Sequence, residues 1–427
     1  MAFALVLVSS VALAVWLLPA GREQPPMRFA PPRSREKWPA GRDAPRHMRD
    51  LALRQAKVWT PQNVAAADLA TNPRDFTGML SQPLVRCQYL DGPANGTTAK
   101  FDCVLPDGEV IKVKYGTTGE IQAEIAASRL LAGLGFGADR MYMVPRLRCY
   151  QCVRTPYYTV KVLDFVHARE TLARQVPEDS YTDFEWVAVE RRLDGAEIDA
   201  GDLDGWAWHE LDAVDPARGA SRAERDALRL LAVLIAHWDN KPANQRLVCL
   251  SSPSGDAPCN QPFAYIHDLG ATFGPNKVEL DEWAKAPIWT DAGRCTVSMR
   301  QFPYDGGTFP DTQISEAGRR LVAGQLAHLT SWLRCLLPPA FRSSMAGADH
   351  LRLRSIGRPP SSRKPAGSST PAPAPTRFAC AFSTAPSARC LPCPRVLDLH
   401  TSDRTSRCSS SSGQRRCRSG ARRGSAR

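Results

Sequence analysis

The stretch that most constrains this chain is a capped apolar helix that hands over to a polar loop. Ser221-Arg222-Ala223-Glu224 has the capping-box pattern, in which hydroxyl and carboxylate satisfy each other's backbone amides. Leu228, Leu231, Leu234 and Ile235 follow on one stripe, so the spacing predicts a buried helix running up to His237. The loop reads His237-Trp238-Asp239-Asn240-Lys241-Pro242-Ala243-Asn244. A carboxylate, Asp268, stands 24 residues after Asn244, behind the apolar run Ala264-Tyr265-Ile266-His267 and two residues before Gly270. A rigid helix that delivers polar groups at its end is a good mount for a reactive site. The types present suit phosphoryl transfer: one carboxylate orients a hydroxyl, an amide and a second carboxylate hold a divalent metal, and a cation offsets phosphate charge.

Upstream, Phe101–Leu105 and Glu109–Tyr115 flank Pro106-Asp107-Gly108, a hairpin signal. Lys112 and Lys114 alternate with Ile111 and Val113, so the lysines share the face opposite the apolar side chains. After Gly116 and Gly119, residues Ile121, Glu124, Ile125, Ser128 and Leu131 recur at helical spacing, and Gly133 and Gly135 stop the helix. Glu124 therefore lies on or beside a buried stripe, where a carboxylate requires a cation, and a lysine of the preceding strand is the candidate. Strands are expected at Met141–Val144 and Tyr157–Phe165, and a helix at about Ile314–Leu336.

Charge has to be apportioned before it is interpreted. The formal net charge is +12, but residues 351–427 hold sixteen Lys+Arg against Asp398 and Asp403, a net of +14, which leaves about −2 for the first 350 residues. The basic field belongs to a Ser/Arg/Pro/Ala tail that cannot bury a core. It suits an anionic surface and gives no argument for specific nucleic-acid binding. Between Asp194 and Asp215 eight acidic residues accompany Trp206 and Trp208, which suits a solvated insertion or a surface for a basic acceptor.

Ala2–Ala20 is apolar except for Ser9, Ser10 and Pro19, long enough for a membrane span or a signal peptide. Arg22, Arg28, Arg33, Arg35 and Lys37 follow it, which favours a body on the cytoplasmic side. Eight cysteines in the body, Cys87 to Cys335, favour disulfides in an oxidising compartment instead. A cleaved signal near Ala20 reconciles the two. Cys149-Tyr150-Gln151-Cys152 has no second pair near it in sequence, so a local turn or disulfide is expected there rather than zinc. Cys249 and Cys259 close a Ser/Pro/Gly loop. The organisation expected is signal or anchor 1–20, Pro/Arg-rich linker 21–50, folded body 51–345 and basic tail 346–427.

With these motifs in place, the chain resembles the protein-kinase-like superfamily over roughly residues 85–335. His237-x-Asp239-x-Lys241-x-x-Asn244 keeps the spacing of that family's H-R-D-x-K-x-x-N loop, and Asp268-Leu269-Gly270 stands where the family has D-F-G. The resemblance implies an α+β, two-lobed fold, with a small β-rich N-lobe (about 84–190) and a larger, mainly helical C-lobe (about 191–345). It implies ATP with Mg2+ or Mn2+, and a hydroxyl acceptor of unassigned class. Asp239 would be the base, Lys241 would touch the γ-phosphate, and Asn244 and Asp268 would bind metal. Lys114, with Lys112 close behind, would serve the phosphates and pair with Glu124. No G-x-G-x-x-G precedes the lysine strand; Asp91–Thr98, with Gly96 and Thr97, stands in its place. No A-P-E follows Asp268. These departures resemble HipA-type, phosphoinositide and secretory-pathway kinases, and leave a nucleotide-binding module without turnover, or a disulfide-supported secreted protein, as the alternatives.

Overall fold

A computed structural model describes residues 19–336, apart from 27, 40, 70, 74, 170–175, 202, 204, 252–256, 275–277 and 301–307. The expected segment 1–20, except Pro19 and Ala20, and the basic tail lie outside the described residues. Among the described residues no helix is long and apolar enough to cross a membrane.

The first half closes into a barrel. Strands β1 (Gly21–Arg22), β2 (Val85–Leu90), β3 (Lys100–Val104), β4 (Val110–Lys114), β5 (Arg140–Tyr150) and β6 (Ser180–Arg191) share one sheet. The ring runs β6-β4-β3-β2-β5 and returns to β6, with β1 added outside on β6. The β2–β5 pair is parallel and the others are antiparallel. This closed five-stranded mixed barrel overturns the expected two-lobed kinase fold with a helical C-lobe. The reason is β6, a twelve-residue strand that bonds β4 and β5 at once and so leaves no open edge.

Alternation along the strands sorts the side chains. Val85, Phe101, Ile111, Val113, Tyr142, Val144, Leu147, Phe184, Val187 and Val189 pack into one core together with Cys87, Cys103, Cys149 and Cys152. Cys87 is bonded to Cys103 and Cys149 to Cys152, as the local reading of the C-x-x-C expected. The hairpin turns at Gly108, whose φ of +87° suits glycine.

Tyr157–Phe165, expected as a strand, lies in a helix, Pro156–Phe165. Its β-branched content suggested strand, but Pro156 fits a first helical turn, where its missing N–H costs nothing. Tyr157 and Val160 are buried while Tyr158 and Val162 are exposed, a helical and not an alternating pattern.

A second core gathers about helices α1 (Arg46–Arg54), α2 (Gly119–Gly133), α3 (Pro156–Phe165, set apart against the barrel), α4 (Arg222–Leu234), α5 (Leu280–Lys285) and α6 (Glu316–Leu336). Strands β7 (Ala196–Glu197), β8 (Gln245–Cys249) and β9 (Pro262–Ile266) form a small antiparallel sheet beside α4. The Cys249–Cys259 disulfide closes the β8–β9 loop as expected. Trp206 and Trp208 are fully buried at a ring separation of 5.2 Å. Glu197 is paired with Arg35, Glu210 with Arg49 and Asp212 with Arg229. Both tryptophans and Glu197 therefore belong to the body, while Asp194, Asp212 and Asp215 stay exposed.

The capping box forms as read: Glu224 N–H donates to Ser221 Oγ at 3.3 Å and Ser221 N–H to Glu224 Oε2 at 2.6 Å. Ser221→Ala is expected to cost about 1 kcal/mol, seen as a lower midpoint of urea unfolding with an unchanged slope.

Candidate functional site

The site begins on the outer wall of the barrel. Lys100 lies opposite Lys114 across β3–β4, Asp102 opposite Lys112, and Lys112 opposite Glu190 across β4–β6. Because apolar neighbours of these residues point into the barrel, the charged ones share the outer face. Helix α2 packs there through Ile121 and Ile125 against Met141 and Ala188. That packing brings Glu124 to the lysine strand.

Lys114 is the hub. Its Nζ stands 2.5 Å from Glu124 Oε1 and 2.9 Å from Glu190 Oε2, and all three side chains are buried. Lys112 Nζ reaches Glu190 Oε1 at 3.0 Å. Burial pushes the Lys114 ammonium down, but Glu124, Glu190 and Asp268 together hold it well above its usual value. Glu190 is pushed up by burial, yet Lys112 and Lys114 hold it well below the carboxylate range. Glu124 faces one lysine and two other carboxylates; burial and those charges push it up to about 8.

The catalytic-loop candidates arrive from the other side. The loop leaves α4 through Ala236 at φ +53° and His237, which is fully buried. Lys241 Nζ donates to both oxygens of Asp239, at 3.0 and 2.9 Å. Asn244 Nδ2 donates to Asp239 O at 2.6 Å, and Asn244 O accepts from His267 N at 2.8 Å and Asp268 N at 3.2 Å. The loop and the D-x-G segment are thus bonded to each other. Asp268 Oδ1 accepts from Gly270 N at 3.1 Å. Burial opposes its charge, but Lys114 first and His267 next hold it ionised, well below the usual range.

Four residues of the site were not anticipated. Glu190 sits late in β6, where it lies opposite Lys112 of β4. Asp139 and His267 are hydrogen-bonded through Oδ2 and Nδ1, with Glu190 Oε1 3.9 Å from the same nitrogen. Their approach depends on Gly137, where a Cβ would stand 2.4 Å from both Phe263 and Tyr265, so only glycine lets this segment lie against β9. Donor atoms of Asp139, Glu190 and His267 lie within 4.8 Å of one another. Each is already engaged, Glu190 with two lysines and His267 with Asp139, so the set buttresses Asp268.

Lys100 is the other unanticipated group. A Cβ on Gly96 would lie 3.3 Å from Lys100 Nζ, which places the ammonium under the Asp91–Thr98 turn. Burial and then Lys114 lower its pKa, while Asp268 raises it. The turn is fastened to α3: Tyr157 OH and Lys161 Nζ donate to Gly96 O at 2.5 and 2.9 Å. Gly96, at φ +76°, thus faces the same region as Lys100 and Lys114, with Thr97 next to it.

All nine residues expected from the sequence are accounted for. Lys112, Lys114, Glu124 and Asp268 form one electrostatic cluster, Asp239, Lys241 and Asn244 one hydrogen-bonded loop joined to it through Asn244 and Asp268, and Gly96 and Thr97 a turn above Lys100. No family model matches the chain, and no curated protein is similar to it.

Burial pushes His237 down to about 4. Its folded pKa is below the unfolded value of about 6.5, so the unfolded chain binds the proton first and stability falls as pH drops through this window. The expected loss between pH 6.5 and 4 is up to about 3 kcal/mol. His237→Gln should flatten that part of a stability-versus-pH curve measured by denaturant titration.

Proposed function

We propose that this chain is a phosphotransferase that moves the γ-phosphoryl group of ATP to a hydroxyl acceptor. The observation that carries this reading is the joining of distant segments around Lys114. A lysine paired to a helix glutamate, a carboxylate it keeps ionised, and an Asp-x-Lys-x-x-Asn loop hydrogen-bonded to that carboxylate's backbone converge on one face. Phosphoryl transfer asks mainly for placement and charge neutralisation, and this set supplies both.

In this reading Lys114 and Lys100 hold phosphate oxygens, with backbone amides of the Gly96 turn above them. Asn244 and Asp268 fit a divalent ion by their chemistry: the Asn244 amide nitrogen is committed to Asp239 O, which leaves its oxygen as the ligand atom, and Lys114 and His267 favour the ionised form of the partly covered Asp268 carboxylate. Mg2+ or Mn2+ bound there would offset charge on the β- and γ-phosphates. Asp239 accepts a hydrogen bond from the acceptor hydroxyl and takes its proton as the new O–P bond forms and the bond from the γ-phosphorus to the β,γ-bridging oxygen breaks, releasing ADP. Lys241 then exchanges one of its bonds to Asp239 for the transferred phosphate. Glu124 and Glu190 position Lys114, and Asp139 positions His267 behind Asp268.

The test is metal-dependent ATP turnover or autophosphorylation by the purified chain. Asp239→Ala and Asp268→Ala are expected to lower turnover at least about 100-fold with the fold retained. Equal activity in all three proteins would sink the proposal, and stabilisation by ATP–Mg2+ without turnover would select the nucleotide-binding module instead. Lys100→Ala is expected to raise KM for ATP roughly ten-fold while changing kcat less, because it removes a phosphate contact from bound substrate. An unchanged KM would remove Lys100 from the phosphate site.

A further inference from the structure

Helix α3 has an apolar face that nothing in the described residues covers. Tyr158, Val162, Phe165 and Val166 are 47, 48, 84 and 54% exposed. Their spacing of four, three and one places them on one side of the helix, opposite the buried Tyr157 and Val160. Arg154 and Lys161 are exposed just before and on the helix, Asp164 on the same helix is paired with Arg169, and Arg22 is exposed on β1 opposite Ser180, whose carbonyl accepts from Gln151 N–H. Isolated exposed apolar residues are ordinary, but an aromatic and aliphatic stripe flanked by cations marks an interaction surface.

Its position relative to the chain's entry identifies the occupant. Ala20 N–H donates to Tyr181 O at 2.9 Å and to Thr182 Oγ1 at 3.4 Å. The Thr182 hydroxyl in turn donates to Cys152 O at 2.9 Å, four residues before α3 begins. One side chain therefore ties the point where the chain enters the domain to the base of α3. Ala2–Ala20 is apolar except for Ser9, Ser10 and Pro19, a run of a length that suits the hydrocarbon thickness of a bilayer. Gly21–Arg22, at the start of the segment expected as a linker, pair with β6 as β1, so a surface holding the run would also lie beside what surrounds Ala20.

We propose that the α3 stripe docks on a lipid surface, with Tyr158, Val162, Phe165 and Val166 at the headgroup–acyl boundary and Arg22 and Arg154 among anionic headgroups. An interfacial amphipathic helix has this build, an apolar side with cations beside it, and lies in the plane of the surface that it binds. Docking would also steady the Gly96 turn, since α3 holds it through Tyr157 and Lys161.

The test uses the full chain in phosphatidylcholine–phosphatidylserine vesicles that include a phospholipid with a photoreactive diazirine in its acyl chain. After illumination and proteolysis, mass spectrometry is expected to find lipid adducts on residues 156–166 as well as on 1–20. The double variant Val162→Glu, Phe165→Glu should lower the 156–166 adduct at least about five-fold, with the 1–20 adduct and the circular dichroism unchanged. Adducts confined to 1–20 would overturn the proposal. So would an α3 shielded from hydroxyl-radical oxidation yet free of lipid adduct, because the cover would then be the chain's own apolar run or a second copy. Leu51 and Leu250, exposed on the other half of the molecule, serve as unshielded references for that measurement.

Discussion

The buried ammonium of Lys114 is the interaction on which the rest of the site depends. Taking a lysine and two glutamates out of water costs several kcal/mol per charge unless they satisfy one another. Here Glu124 arrives from α2 and Glu190 from β6, so a single cation joins the lysine strand, the covering helix and the strand that closes the barrel. The same charge keeps Asp268 ionised. Removal of the lysine would leave two buried carboxylates without their common partner. The barrel wall and the chemistry proposed for it therefore share one electrostatic dependency.

That dependency explains why the site is arranged as it is in a fold unlike the one expected. The resemblance to kinases lay in short polar motifs, and those motifs constrain only their own neighbourhood. An Asp-x-Lys-x-x-Asn loop closed by Asn244 on Asp268 can be mounted beside a closed barrel as readily as between two lobes. What mattered for closure was Ser180–Arg191, which pairs with β4 and β5 together. Pairing partners of a strand are set by long-range register, and nothing local in Tyr181–Arg191 announces two of them.

The polar lining separates in the same manner. Lys114 and Glu124 were legible because alternation placed one on a strand face and helical spacing put the other on a buried stripe, leaving a charge in want of a partner. Glu190, Asp139, His267 and Lys100 were not, since each acquires its role from a neighbour far along the chain: Glu190 from Lys112 and Lys114, Asp139 from His267, Lys100 from the Gly96 turn. Residues 157–165 failed for a different reason. Valine and tyrosine favour strands on average, but burial of Tyr157 and Val160 on one side overrode propensity once Pro156 had begun a turn.

The sequence by itself determined what is local: the Asp-Gly hairpin, the capped helix ending at His237, the amphipathic helix with Glu124, the disulfide-closed β8–β9 loop, and the assignment of the basic charge to the tail. Periodicity, turn chemistry and capping act over a few residues, so they can be read along the chain. Only the tertiary structure decided that the strands close on themselves, that Glu190 completes the Lys114 cluster, and that the chain's entry point shares Thr182 with α3. Those outcomes rest on contacts between residues from 30 to more than 150 positions apart, whose energies no local pattern encodes.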